Sequence, residues 1–422
     1  MIRALMARGP LLARAITLGL NLLLAVVVAR LFGASASGEF FLAFTLVNFA
    51  GMLGRLGTEN YAVKVLPRLL HSAEVRRAGD ILKALRRRCA WGTAVAALAM
   101  TGAGLSTWWV TGSDFGLHLA MLAISIPFAS FAILNSVVLR SAERVSRGAF
   151  AETGLTQGLT IVVVLVASAF TDLSPIFVSI AYVCSSVATG LISRVWVRGA
   201  ARWQSGMPYD RSVIQRTESM SMLTMMGSSV LFFALASTPL FAVGIASSPR
   251  EAGVFNAAAR FGNLIALIPA LQTTYLIPRV ARGLELNDSL AVSQQLRLAS
   301  RQATIASVVV ASLMIVLSEQ LVRLFGAGFE EASTALVVFA IGHAVIASLG
   351  QVNPIMAIAG LERQSMSLVM GSLAVGIPAM IIAAAFGGAS AVAGAFMLVS
   401  IAYSLACSIL LYKRVGIKCF VH

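Results

Sequence analysis

Acidic residues are scarce. The 422-residue chain has 17 Asp and Glu against 32 Lys and Arg, and only 12% of its residues are charged. A soluble domain carries about a quarter. Cysteine is scarcer still: Cys89, Cys184, Cys407 and Cys419 stand far apart with no C-x-x-C pair, which argues against a disulfide framework or a cysteine metal site. There is no H-E-x-x-H, no G-x-S-x-G, no paired carboxylates and no G-x-x-x-x-G-K-[ST]. Hydrolytic chemistry and direct drive by ATP therefore have nothing to act through, and an enzyme is not expected. The four histidines (His71, His118, His343 and His422) are dispersed; His118 and His343 fall inside apolar runs, where a helix-facing structural role outweighs proton coupling. No cofactor is expected, and coupling to an ion is left open.

What the chain has instead is apolar residues, 58% of the total, at a mean hydropathy of +0.87. They fall into runs of about twenty, the length that crosses a bilayer as a helix. The expectation is an all-α polytopic protein with twelve spans near 11–32, 38–58, 90–111, 115–139, 149–170, 175–197, 219–245, 253–278, 302–325, 332–358, 366–386 and 389–412. The first run is too long for a cleavable signal peptide. Turns such as "GASAS", "TGSDF" and "GGAS" are short and poor in Lys and Arg, whereas "RSAERVSR" and "RVWVRGAARW" are basic. Basic loops stay on the cytoplasmic side, so both termini are expected there. The net charge of +15 sits in these loops, which speaks for membrane lipids as partners and against nucleic acid.

The chain also repeats. "VLPRLL" (Val65–Leu70) follows the second span and "LIPRVA" (Leu276–Ala281) the eighth; "NSVVLRSAER" at Asn135 is echoed by "NPIMAIAGLER" at Asn353. Each Pro-Arg leads into an amphipathic stretch. In the first, Val75, Ala78, Leu82 and Leu85 form a helical stripe opposite Arg76, Arg77, Lys83 and Arg87. The expected organisation is a six-helix lobe over 1–200, a cytoplasmic linker over 201–218 and a second six-helix lobe over 219–422. Parallel repeats of this kind in transporters hold their substrate between the halves.

Several stretches together, "ARLFGASASGEFFLAFTLVNF" (Ala29–Phe49), the Leu-Pro-Arg after span two, "LFGAGFEEAS" (Leu324–Ser333) and "AGLERQ", resemble the multidrug/oligosaccharidyl-lipid/polysaccharide (MOP) exporter superfamily. Within it the chain is most similar to polysaccharide flippases of the Wzx type. The resemblance implies a MATE-like pair of lobes around a central cavity. It also implies a lipid-linked oligosaccharide carried on undecaprenyl pyrophosphate, flipped across a bacterial inner membrane for polysaccharide biosynthesis. The partners expected with such a flippase are a polysaccharide polymerase and a chain-length regulator. A multidrug or metabolite cation antiporter of the same superfamily is the alternative, and a membrane glycosyltransferase or polymerase a more distant one.

Charge inside the spans separates these readings. Acids are missing from span centres; Glu59, Glu152 and Glu218 lie near one end and Glu319 near the other. Cations are present: Arg14 and Arg30 in span one, Arg55 in span two and Arg260 in span eight. Guanidinium forks suit phosphate oxygens, so these four are the candidate pyrophosphate ligands. Arg14 and Arg55 also sit where arginine can snorkel to headgroups, and Arg30 is close to the outer interface. Arg260 is about 10 Å into its span at 1.5 Å per residue, and its position also looks like the basic cavity site of related flippases. Asn256 and Asn263 fall on its face, with Gln272 and Tyr275 further along, and Asn21, Asn48 and Gln157 in other spans. Amides and phenols can bind sugar hydroxyls, though in bundles they often join helices.

Overall fold

The computed structural model describes residues 2–72, 74–200, 216–286, 289–350 and 352–417. Every regular element in them is helical. Among the described residues, nine helices are long and apolar enough to cross a membrane, or ten when the pair 114–123 and 126–141, bent by 48°, counts as one span. The chain is a multi-pass membrane protein. Two of those helices are double. Helix α1 (Ile2–Gly54) is 53 residues long, about 80 Å at 1.5 Å per residue, against about 30 Å of hydrocarbon. It is broken at Gly33, whose φ of 78° only glycine takes readily. The last helix, Glu362–Val415, is broken in the same way at Gly388 (φ 57°). Read as two passes each, they complete the twelve expected spans.

The described chain forms two compact units. The first comprises residues 1–28 and 39–230, the second residues 29–38 and 231–422. The division falls at Val230, inside a helix, whereas sequence composition placed a linker over 201–218; residues 201–215 of that linker lie outside the described residues.

In the first unit, α1 gives way at Leu56 and Gly57, both at positive φ, to α2 (Thr58–His71) and then α3 (Val75–Thr111). Next come α4 (Asp114–Ala123) and α5 (Ile126–Ser141), the bent pair, with Pro127 starting the second half. After a short α6 (Val145–Ala149), one π-helical turn (Phe150–Gly154) leads into α7 (Leu155–Ser168), and α8 (Ile176–Arg198) follows. The amphipathic stripe of α3 has a different destination from a membrane surface. Ala78, Leu82 and Leu85 are buried in a core with Leu66 and Leu69 of α2 and Leu134 and Val138 of α5. The opposite face, with Arg76, Arg77, Lys83 and Arg87, is exposed. Each buried leucine contributes about 1.5–3 kcal/mol, so α2 and the start of α3 are held by protein packing.

The second unit runs through α9 (Arg216–Ala246), which begins in the first, to α10 (Pro249–Glu285) and α11 (Ser289–Val316). It continues with α12 (Ser318–Arg323), α13 (Ala332–Ser348), α14 (Val352–Ile358) and α15 (Glu362–Val415). Its core repeats the logic of the first. Val292 and Leu296 of α11 pack with Leu276 and Val280 of α10 and with Ile355 and Met356 of α14. Glu251, two residues into α10, accepts a hydrogen bond from the Ala389 N–H at 2.7 Å. A carboxylate thus caps the helix that restarts after Gly388, where exposed N–H groups favour negative charge.

Candidate functional site

Arg260 lies midway along Pro249–Thr273, the apolar stretch of α10, and is half-buried. Its surroundings are packed: Ala257, Ala258, Phe261 and Ile265 are buried, and the Phe261 ring meets Phe325 edge-on at 5.6 Å. A rigid helix with such neighbours fixes the guanidinium well inside the span. Asn256, one turn before it, is buried, whereas Asn263, three residues after it, is exposed. Gln272 is half-buried on the same helix, and the side chain of Tyr275 lies outside the described residues. The polar face read from sequence is therefore present on α10, graded from buried to open.

The other three arginines divide by environment. Arg55 closes α1 and donates from Nε to Glu59 Oε1 at 2.8 Å across the Leu56–Gly57 break, with side-chain exposures of 12% and 14%. The pair is charge-neutral, so Arg55 offers an anion less than the sequence suggested. Its spacing of four residues from Glu59 was the signal. Arg30 is exposed and donates to the Leu324 carbonyl at 2.7 Å, just beyond the end of α12. A cation on a helix C-terminal carbonyl is a cap, and Arg30 has that structural task within the second unit. Arg14 is exposed on α1.

The remaining amides differ in the same way. Asn48 donates to Phe44 O of its own helix at 2.7 Å, which satisfies one donor locally. Asn21 is half-buried. Gln157 is 3% exposed, and its Oε1 has no hydrogen-bond partner. It sits just after the π-helical turn, a geometry frequent at functional sites. His118 bonds Ser179 Oγ at 2.7 Å and lies edge-on to Phe40, and His343 stacks on Phe339. His118 is thus seated between a ring and a hydroxyl, and His343 against a ring.

Sequence reasoning passed over a second group of cations. Arg86 of α3 donates to Asn135 Oδ1 at 3.1 Å, and Asn135 in turn donates to Ser193 of α8 at 3.0 Å. Arg194 and Arg198 follow on α8. Only the fold brings these helices together, although the repeated Asn135 and Asn353 marked the place.

Three of the four acids near span ends are also engaged, and the side chain of Glu218 lies outside the described residues. Glu59 pairs with Arg55, Glu152 with Arg140 at 3.0 Å, and Glu319 with Arg323 at 3.7 Å. Among the described residues, no cluster of His, Cys, Asp and Glu has the form of a metal site.

No family model and no curated protein matches the chain. Solved structures do. An inward-facing multidrug resistance MATE family transporter of the MOP superfamily superposes with a TM-score of 0.77 at 14% identity, over 95% of this chain and 94% of that one. The lipid II flippase MurJ, in an inward closed conformation, gives 0.68 at 14% identity, over 97% and 87%. A MOP superfamily transporter from Pyrococcus furiosus, described as having a binding pocket of reverse polarity, gives 0.66 at 16%, over 97% and 95%. At these identities the likeness establishes the architecture: this chain has the MATE-type transporter fold.

Proposed function

We propose that the protein is an inner-membrane flippase. It moves an undecaprenyl-pyrophosphate-linked oligosaccharide from the cytoplasmic to the periplasmic leaflet, with both termini in the cytoplasm. The carrying observation is Arg260, half-buried at the centre of the apolar span Pro249–Thr273 and one turn from the buried Asn256. An arginine at the centre of a span costs about 2.5–3.5 kcal/mol on insertion scales. A permanent cation kept there suits a phosphate-bearing head group, and the neighbouring amides suit sugar hydroxyls. The pairing of Glu59, Glu152 and Glu319 with arginines supports the same reading, because cation exchange needs an acid free to release and rebind its cation. The fold is shared by a lipid II flippase and by a transporter of reversed pocket polarity, so it accommodates both a lipid-linked head group and an unusual pocket charge.

Removing the protein from its host and analysing lipid-linked sugars tests this directly. Complete repeat units should build up on the inner leaflet while surface polymer falls; unchanged polymer in a strain with no paralogue refutes the reading. Cysteine labelling in intact cells tests the orientation. Positions 113 and 248 should label from outside and positions 144 and 364 should not, and the reverse pattern would invert the direction of transport.

A second reading, cation antiport, draws on the multidrug MATE neighbour. It requires energised drug efflux that disappears when Glu59 or Glu152 is neutralised.

A further inference from the structure

Two adjoining cavities in the first unit share Arg86 and Arg194. One, of about 350 Å³, is lined by Gly79, Leu82, Lys83, Arg86, Arg194, Val197 and Arg198. The other, of about 380 Å³, is lined by Phe128, Phe131, Asn135, Val187, Gly190 and Leu191 with the same two arginines. The lining follows helical stripes. On α8 the residues are Val187, Gly190, Leu191, Arg194 and Arg198; on α5, Phe128, Phe131 and Asn135; on α3, Leu82, Lys83 and Arg86. Val187, Leu191, Arg194 and Arg198 of α8, Phe128, Phe131 and Asn135 of α5, and Gly79, Lys83 and Arg86 of α3 each follow at spacings of three and four, so each helix presents one face to the cleft.

The polarity of these faces changes along the cleft in one direction. On α8 the apolar Leu191 and the cationic Arg198 are seven residues apart, about 10 Å. On α5 the aromatic pair and Asn135 have a similar separation. One end is therefore apolar, with Phe128 and Leu191 exposed. The other gathers four cations, and no Asp or Glu lines either cavity. Arg194 and Arg198 stand close enough to Arg86 for their charge to oppose its own. Arg86 is held in place nonetheless by Asn135, itself anchored to Ser193. Like charges gathered by a hydrogen-bonded scaffold next to an exposed apolar groove are complementary to one kind of molecule, an amphiphile with an anionic head. Basic pockets between membrane helices bind anionic phospholipid headgroups by this means.

We propose that the cleft between α3, α5 and α8 is a binding site for an anionic phospholipid, with the phosphate at Arg86, Arg194, Arg198 and Lys83 and an acyl chain along Phe128, Phe131 and Leu191. It is a site for a structural or regulatory membrane lipid, separate from the residues assigned to transport.

The test is native mass spectrometry of the purified full-length protein in non-ionic detergent, titrated with phosphatidylglycerol. Phosphatidylethanolamine of the same chains and soluble glycerol 3-phosphate serve as comparisons. Phosphatidylglycerol should be retained in preference to both. Arg194→Gln with Arg198→Gln should weaken it about 30-fold, the effect of two cations near a headgroup, and Leu191→Gln should weaken it by a smaller factor. Arg76→Gln with Arg77→Gln, on the exposed face of α3, should leave it unchanged. If the double α8 variant does not fold, the single Arg198→Gln variant should still show about a 5-fold loss. Equal retention of the two lipids, or equal losses from the α3 and α8 pairs, overturns the proposal in favour of general surface charge. Displacement of the lipid by glycerol 3-phosphate at similar concentration makes the ligand a free phosphate and removes the acyl groove. Loss of phosphatidylglycerol in Arg260→Ala at normal folding places the lipid elsewhere and also overturns it.

Discussion

The two repeats contain the same Pro-Arg step after their second span and treat it in opposite ways. In the first, the helix breaks at Leu56 and Gly57 before α2 carries Pro67, and Arg55 and Glu59 pair across the break. In the second, α10 runs unbroken from Pro249 through Pro278 to Glu285. Pro278 lies 211 residues after Pro67 (278 less 67), and the same shift sets Gly262 against Gly51 and Arg260 against Phe49. The mid-span arginine thus stands in one half only, where the other half has a phenylalanine. The repeats differ at the asparagine as well. Asn135 supports Arg86 in an open basic cleft. Asn353 accepts a 2.6 Å hydrogen bond from the Tyr403 phenol, which also meets Ser365 at 3.1 Å. A neutral aromatic fills the second unit where a cation keeps the first one open.

The sharpest way to break the comparison is to exchange the roles of Arg260 and Arg55. Arg260→Ala should lower flipping per inserted protein about 10–150-fold, the affinity equivalent of a charge-assisted hydrogen bond of ~1.5–3 kcal/mol. Arg260→Glu should be lower still, and Arg260→Lys partly active because it keeps charge without the bidentate fork. Flipped lipid-linked sugar normalised to membrane abundance is the measurement. Near-normal flipping by Arg260→Ala would make Arg260 a packing residue.

Arg55 should respond in stability. Arg55→Leu strands a half-buried carboxylate at a cost of about 2–3 kcal/mol, below the 3–5 kcal/mol of a fully buried pair. Arg55→Leu with Glu59→Leu should recover most of that loss, with flipping per molecule intact. Thermal unfolding in detergent and transport by the same preparation would show it. A double variant that is stable yet inactive would return Arg55 to the site.

The asparagine networks should give a smaller difference. Tyr403→Phe leaves the buried Ser365 without its phenol partner, while Asn353 is exposed, and should cost about 1–3 kcal/mol, against about 1 kcal/mol for Ser193→Ala in the first unit. Equal losses would mean the two networks are equivalent in spite of their different chemistry.

The smallest effect concerns the helix ends after each asparagine. Both finish with the same pattern, Arg144 N–H to Leu139 O at 2.9 Å and Leu361 N–H to Met356 O at 2.8 Å. The left-handed residue is Gly360 in the second unit but Glu143 (φ 61°) in the first. Glycine is the low-strain choice there, so Glu143→Gly should raise stability by about 0.5–1 kcal/mol. A lower unfolding temperature would show that the Glu143 side chain holds the turn by contacts that outweigh its backbone strain.

The spans and their number were legible because they are local properties. Apolar runs of bilayer length declare themselves, and Gly33 and Gly388 lie in the short polar turns expected between spans. The α3 stripe was legible as a pattern, but its partner was not, since an apolar helix face looks the same whether it meets lipid or Leu66 and Leu134. Among the site residues, Arg260 with Asn256 could be read because one helix carries both. The neutralising Glu59 was in plain view four residues from Arg55 and went unused. The capping of Leu324 by Arg30 was hidden, because it joins residues far apart in sequence.

By itself the sequence determined a membrane protein of twelve apolar passes, with basic loops and acid-poor spans. The cause is physical: hydrophobic length, charge and helical period act over a few turns and need no distant partner. The tertiary structure decided which arginines are neutralised, which cap a carbonyl, and which are gathered into a cleft. Such fates depend on which helix faces meet, and a cation's meaning inside a membrane is set by the group that stands opposite it.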